Sequence, residues 1–221
     1  MNLAVLYSGG KDSNYSLFIT SKYYKVSVLL NIIPKNNESY LYQYINNKIT
    51  LLQAKALSID IYRAEVNESE EKTLKEALIY LKKEYNIDGL VTGAIRSTYQ
   101  GSKFQKICKD LKLWCFNPIW LINEKIYIKE LIKNNFEFII TGWYSYPLDI
   151  DILGKKVNTY ILNKLIEYNK KYGINIAGEG GEYETIVLYQ PLFKKRINIE
   201  KYRINIEKNY AEYIIEKASL I

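Results

Sequence analysis

Short apolar runs alternate with helical segments through the N-terminal half of the chain, and no other feature narrows the possible fold as much. Leu3-Ala4-Val5-Leu6-Tyr7 is an unbroken apolar run of the kind that forms a strand buried on both faces. A glycine loop leads into a helix from about Ser13 to Tyr24, and Val26 to Ile33 makes a second strand closed by Pro34. The polar stretch from Asn36 to Asn47 reads as a loop, Thr50 to Leu57 as a helix and Ile59 to Val66 as a third strand. Leu74, Leu78, Leu81 and Tyr85 then recur at helical spacing behind an acidic first turn of Glu68, Glu70 and Glu71. Asp88 to Ala94 follows as a fourth strand. Parallel neighbours need crossover connections, so the alternation predicts an α/β fold: a parallel sheet with helices on both faces.

The second half is less regular. Phe104, Ile107, Cys108 and Leu111 form one helical stripe, which makes Cys108 a core residue. Asn117-Pro118 marks a turn, a helix runs from about Glu124 to Lys133, and Phe136 to Gly142 is another apolar strand. Residues 155–172 read as a long helix with Gly173 at its C-terminal cap, and Glu182 to Tyr189 as a strand. Period-two alternation between Lys194 and Ile215 predicts antiparallel strands packed on one edge.

Composition removes several chemistries. The 221 residues are 48% hydrophobic and 25% charged, which excludes a wholly disordered or fibrous chain. No apolar run reaches the length of a membrane span, so no membrane partner is expected. Cys108 and Cys115 are too few to staple a fold of this size and read as reduced thiols in a cytoplasmic protein. There is no histidine, which rules out Ser-His-Asp and Cys-His triads and His-ligated zinc. The net charge of +7 comes from lysines spread along the chain rather than gathered in an arm, so direct nucleic-acid binding is not expected.

Two segments carry chemistry. Ser8-Gly9-Gly10-Lys11-Asp12-Ser13 lies between the first strand and the first helix, where an open parallel sheet binds phosphates. Adjacent glycines let backbone N–H groups converge on an anion; Ser8 and Ser13 add hydroxyls and Lys11 a positive charge. Asp12 makes sense as a magnesium partner or as a helix cap. The spacing matches neither the Walker A loop nor the dinucleotide fingerprint. The loop resembles the pyrophosphate loop (SGGxDS) of ATP pyrophosphatases, which cleave ATP between the α and β phosphates.

Residues 177–185, Ala-Gly-Glu-Gly-Gly-Glu-Tyr-Glu-Thr, hold three glycines and three carboxylates, too many charges for a core segment. On an extended chain Glu182 and Glu184 share one face and Tyr183 takes the other, an arrangement suited to magnesium, ammonium or a positively charged substrate. Together with Lys171-Tyr172-Gly173 before it and Pro191-Leu192-Phe193 after it, the segment resembles the diphthine–ammonia ligase family. Gly93-Ala94-Ile95 with Ser97 and Tyr99-Gln100, and Leu148-Asp149 with Leu153-Gly154, follow in the family's order. Lys103, Gln105 and Tyr189 depart from the family's usual residues.

That resemblance implies a HUP-like nucleotide-binding domain (adenine nucleotide alpha hydrolase) over residues 1–97, and a smaller family-specific C-terminal α/β domain for substrate recognition over 98–221. The second domain would close over the ATP site. The implied reaction amidates diphthine on translation elongation factor 2 with ammonium, using ATP and magnesium. Ser8, Gly9, Gly10, Lys11, Asp12, Ser13, Gly93 and Ala94 would bind the nucleotide, with Lys11, Asp12, Glu182 and Glu184 catalytic and Asp12 the candidate magnesium ligand. Tyr99, Gln100, Gly178, Glu179, Gly180, Gly181, Glu182, Tyr183, Glu184 and Thr185 would bind substrate. Glu182 and Glu184 would hold ammonium or the trimethylammonium of diphthine, with Tyr183 adding a cation–π face. A dimer is compatible with the chain. Two other readings stay open: another pyrophosphate-loop adenylating enzyme acting on tRNA, and a non-catalytic module that senses ATP or AMP.

Overall fold

A computed structural model describes residues 1–35 and 45–221, so most of the loop expected between Asn36 and Asn47 lies outside the described residues. The chain divides into two compact units, Met1–Leu121 and Ile122–Ile221. In the first, the parallel sheet predicted from the alternation is present with five strands. They are β1 (Asn2–Leu6), β2 (Lys25–Ile33), β3 (Asp60–Glu65), β4 (Gly89–Val91) and β5 (Trp114–Phe116), in the order β3-β2-β1-β4-β5. Every pairing is parallel. The helices between them are α1 (Lys11–Thr20), α2 (Ile49–Leu57), α3 (Glu70–Tyr85) and α4 (Thr98–Asp110).

Alternation of side chains across the sheet explains the layering. Ala4, Val28, Leu30, Ile32 and Leu90 form one buried cluster with Leu74, Leu78 and Leu81 of α3 and Phe104, Ile107 and Cys108 of α4. Their strand neighbours Leu3, Val5 and Leu29 are fully buried too and point to the other face, which α1 and α2 cover. Each such leucine contributes about 1.5–3 kcal/mol by leaving water. The clearest helix in the sequence, α3, starts where Ser69 accepts a hydrogen bond from Lys72 N at 3.2 Å and carries Glu70 and Glu71 in its first turn.

The boundary expected after Ser97 is corrected to Leu121, for a physical reason. α4 supplies part of the first core, and β5 extends the first sheet by pairing with β4, so residues 98–121 belong with the first unit. Tyr99 and Gln100, expected in the substrate domain, therefore sit in the first unit.

The second unit holds an antiparallel sheet of β6 (Glu137–Trp143), β7 (Tyr183–Tyr189), β8 (Ile197–Ile206) and β9 (Ala211–Leu220), ordered β7-β6-β9-β8. The alternating tail forms the β8–β9 hairpin and joins the sheet's edge through Ala211 and Glu212. Helices α5 (Glu124–Lys133) and α6 (Thr159–Tyr172) are capped by Asn123 and Asn158, and α6 stops at Gly173 with φ +74°. The long helix expected from residue 155 is shorter, because Asn158 accepts from Ile161 N and so fixes the first turn.

Candidate functional site

In the first sheet the strand order reverses at β1: its crossover runs one way to β2, and β4 lies on its other side. Ligands of open α/β sheets bind in the crevice beyond the strand ends at such a point. The loop after β1 and the loop after β4 both open there. Gly93 shows how closely they meet. A side-chain carbon on it would lie 2.9 Å from Ser13 N and 3.0 Å from the Asp12 carbonyl carbon, so only glycine lets the end of β4 rest on the first turn of α1. Ala94, next to it, is buried, and its N–H reaches Thr92 Oγ1 at 3.3 Å.

Within the loop, Gly9 takes φ +86°, a conformation that favours glycine. Gly10 occupies the N-cap position of α1 in an extended conformation, and no side chain caps the helix. The alternative in which Asp12 caps α1 is thereby corrected; Asp12 lies inside the first turn. A helix start without a side-chain cap, behind a glycine turn, presents backbone N–H groups of the kind that attract anions. Lys11 is almost completely buried, and its ammonium meets Asp12 Oδ2 at 3.0 Å. Ser8 and Ser13 brace the turn: their hydroxyls lie 3.3 Å apart, Ser8 Oγ accepts from Gly10 N, and Ser13 Oγ donates to the Gly10 carbonyl.

On α4, Ser97 caps the helix by accepting from Gln100 N at 3.3 Å. Tyr99 is more than half exposed, and the Lys103 ammonium lies 4.2 Å from its ring centre.

In the second unit the glycine-rich segment is a tightly wired loop. Gly178 and Gly181 have φ +72° and +81°, and Gly181 N donates to the Gly178 carbonyl at 3.2 Å. Asn175 Oδ1 accepts from Ala177 N at 2.8 Å, and Glu124 accepts from the Asn175 side chain and from Ile176 N. Glu182 closes the loop: its two carboxylate oxygens accept from Asn175 N at 2.9 Å and Gly180 N at 2.8 Å. Glu182, expected to hold a cation beside Glu184, thus has each carboxylate oxygen engaged by a backbone N–H of its own loop. Tyr183 is likewise not an open cation–π face. Its ring is buried, stacked on Trp143 at 6.0 Å and 8°, and its hydroxyl donates to the Ile176 carbonyl at 2.6 Å. Thr185 is buried in β7.

Glu184 is placed differently. It lies opposite Gly142 on β6, and Gly142 faces Glu212 of β9 on its other side, so the two glutamates flank a glycine in one row. The Tyr144 hydroxyl occupies the space a Gly142 side chain would fill. Burial raises the Tyr144 phenol well above its ordinary pKa, and the charges of Glu184 and Glu212 push it further. Glu212 is buried, with Asn205 Nδ2 3.4 Å from its Oε2. Tyr144 and Glu212 escape a reading of the sequence because only cross-strand register brings them to Glu184. Among the described residues no group of three or more His, Cys, Asp or Glu could hold a metal ion.

Comparison with known proteins matches the two units separately. Residues 1–114 match a family model described as the diphthamide synthase N-terminal domain, and residues 123–221 one described as its C-terminal domain. Proteins named diphthine–ammonia ligase from Rattus norvegicus and Homo sapiens are 34% and 33% identical to the chain. The alignments cover 90% and 93% of it, and 83% and 85% of those proteins. A crystal structure described as a predicted subunit of tRNA methyltransferase from Methanocaldococcus jannaschii aligns over 86% of this chain and 98% of its own, at 19% identity and a TM-score of 0.44.

Proposed function

The chain belongs to the diphthamide synthase family, whose members are ATP-using diphthine–ammonia ligases, and from that premise we propose how its residues divide the reaction. Diphthamide formation by this family is an amidation, and a carboxylate resists ammonia because it is a poor electrophile. ATP adenylates the carboxylate of diphthine on translation elongation factor 2, and pyrophosphate leaves from the glycine loop in that step. Ammonia, formed as ammonium gives up a proton, then attacks the acyl carbon, and AMP departs as the new amide nitrogen loses a second proton.

The observation that carries this reading is the α1 start: a glycine turn at the sheet's reversal point, with no side-chain cap and a buried lysine beside it. Backbone N–H groups of Gly9 and the first turn, with the Gly10 N–H turning from Ser8 Oγ to the ligand, would take the phosphates, and Lys11 would offset charge as the α–β bond breaks. Gly93 and Ala94 would lie along the nucleoside. The fit to magnesium is narrower. Asp12 is the carboxylate at hand, and a magnesium ion bound there would draw its remaining oxygens from phosphates and water, its chemistry being to neutralise phosphate charge. In the second unit Glu184, with Glu212 and Tyr144 beside it, is the residue proposed to meet ammonium or the trimethylammonium of diphthine. Glu182 and its glycines would shape the loop that positions it. The protein is proposed to work in the cytoplasm.

The direct test supplies the purified protein with ATP, magnesium, ammonium and diphthine-bearing elongation factor 2. The expected products are AMP, pyrophosphate and an amide at the modified histidine, with Lys11→Ala losing at least a hundredfold in rate, the scale of removing one preorganised charge contact. ATP binding without pyrophosphate release would favour the sensing module, and modification of tRNA would favour the other adenylating enzymes.

A further inference from the structure

We propose that three buried amide side chains, Asn14, Asn31 and Gln53, are positioning residues that aim the N–H groups of the glycine loop, acting through the carbonyls of Tyr7, Gly9 and Gly10. The inference rests on reading residues 8–13 as the seat of the ATP phosphates. Asn31 Nδ2 donates to the Tyr7 carbonyl at 2.9 Å, Gln53 Nε2 to the Gly9 carbonyl at 2.9 Å, and Asn14 Nδ2 to the Gly10 carbonyl at 2.9 Å. They come from β2, α2 and α1, and all three are at most 1% exposed.

A peptide unit is planar, and its carbonyl and the following N–H point in opposite directions. Pinning the carbonyls of Tyr7, Gly9 and Gly10 into the protein therefore fixes where the N–H groups of Ser8, Gly10 and Lys11 point. Glycine is the residue whose peptide planes flip most readily, so a Gly-Gly turn needs this restraint more than any other. The restraint is supported from behind. The Tyr7 hydroxyl donates to Asn14 Oδ1 at 2.7 Å, which leaves the Asn14 amide nitrogen turned toward Gly10. Arg63 donates to Asn31 Oδ1 at 3.1 Å and to Asn47 Oδ1 at 2.9 Å, and Thr50 Oγ1 donates to the Asn47 carbonyl at 2.6 Å, anchoring the start of α2 on which Gln53 sits. Gln53 also packs closely on the loop: a side-chain carbon on Gly9 would lie 2.7 Å from its Oε1. Burying three primary amides costs free energy unless they are bonded, and here each spends a donor on the loop.

Gln53→Met keeps the shape of the side chain and removes the donor. Its affinities for ATP, inorganic pyrophosphate and adenosine are measured by calorimetry beside those of the unaltered protein and Lys11→Ala. The expected result is about a tenfold loss for ATP and pyrophosphate, the scale of one hydrogen bond, with adenosine binding nearly unchanged and the melting temperature lower by several degrees because the buried Gly9 carbonyl loses its donor. Unchanged pyrophosphate affinity overturns the proposal, and so does an equal loss for adenosine, which would mark a general structural role. If Gln53→Met does not fold, Asn31→Leu serves: it keeps much of the side chain's volume, removes the donor to the Tyr7 carbonyl along with one acceptor for Arg63, adds no charge near the loop, and is expected to show the same split. Lys11→Ala separates the two layers of the argument. Should it bind ATP as the unaltered protein does, the phosphate seat itself is wrong; should it lose ATP while Gln53→Met does not, only the amide restraint fails.

Discussion

Glu182 and Glu184 stand two residues apart, and strand geometry alone would aim them the same way. The chain does otherwise because Glu182 precedes β7, where the backbone still turns, and its carboxylate finds two N–H donors nearer than any ligand. Glu184 is inside the strand and is held opposite Gly142. Substitution should separate them. Glu182→Ala removes the acceptor of two loop N–H groups, that of Asn175 part-buried and that of Gly180 open to water, and is expected to lower stability by about 1 kcal/mol and to open residues 175–182 to protease. Glu184→Gln is expected to keep the melting temperature within a few degrees and to raise the ammonium KM about tenfold, the scale of one charge-assisted hydrogen bond. Steady-state kinetics and thermal unfolding of both variants check this; a Glu184→Gln enzyme with an unchanged ammonium KM would remove it from the proposed site.

At the scale of elements, β6 is tied at its start by Glu137, which accepts from Lys156 and from Arg196, the residue before β8. Burial works to raise its carboxyl, but the hydrogen bonds and charges of Lys156 and Arg196 outweigh it, and the group is held below the ordinary carboxylate value. A depressed carboxyl stabilises the fold above its unfolded pKa, and that contribution is lost as pH falls through the folded one. Because the side chains are partly exposed to solvent, the pair of contacts is worth about 1 kcal/mol. Glu137→Gln should therefore cost about that much at neutral pH and progressively less below about pH 4. Urea unfolding at both ends of the range checks it; a penalty independent of pH would mean the charges contribute nothing.

The elements legible beforehand are those with local signals. Helix α5 runs over the residues expected because Asn123 and the apolar spacing of Tyr127, Ile128 and Leu131 act within a few residues. Strand β5 was not legible: Trp114-Cys115-Phe116 is three residues long, shows no period, and is a strand only because β4 lies beside it. The site divides the same way. The glycine loop announces itself by composition and position, whereas Gln53, Glu212 and Tyr144 reach it or Glu184 through contacts between elements far apart in sequence.

For the molecule as a whole, what is missing from the composition decides how nitrogen arrives. Enzymes that draw ammonia from glutamine normally use a cysteine nucleophile activated by histidine, and this chain has no histidine. Its two cysteines offer no substitute. Cys108 is buried in the first core, and its thiol is pushed up by its contact with Cys115 and by burial, while Cys115 is lowered by the same contact. The two thiols answer to each other rather than to a general base, and a buried thiol with a raised pKa is a poor nucleophile. The expected nitrogen source is then ammonium from solution or ammonia from a separate partner. With glutamine as sole nitrogen source, the purified protein is expected to form no diphthamide and no glutamate, while ammonium at the same concentration supports full turnover. Mass spectrometry of the modified histidine together with a glutamate assay reads both arms, and glutamate released in step with amidation would show that the chain builds an amidohydrolase site without imidazole.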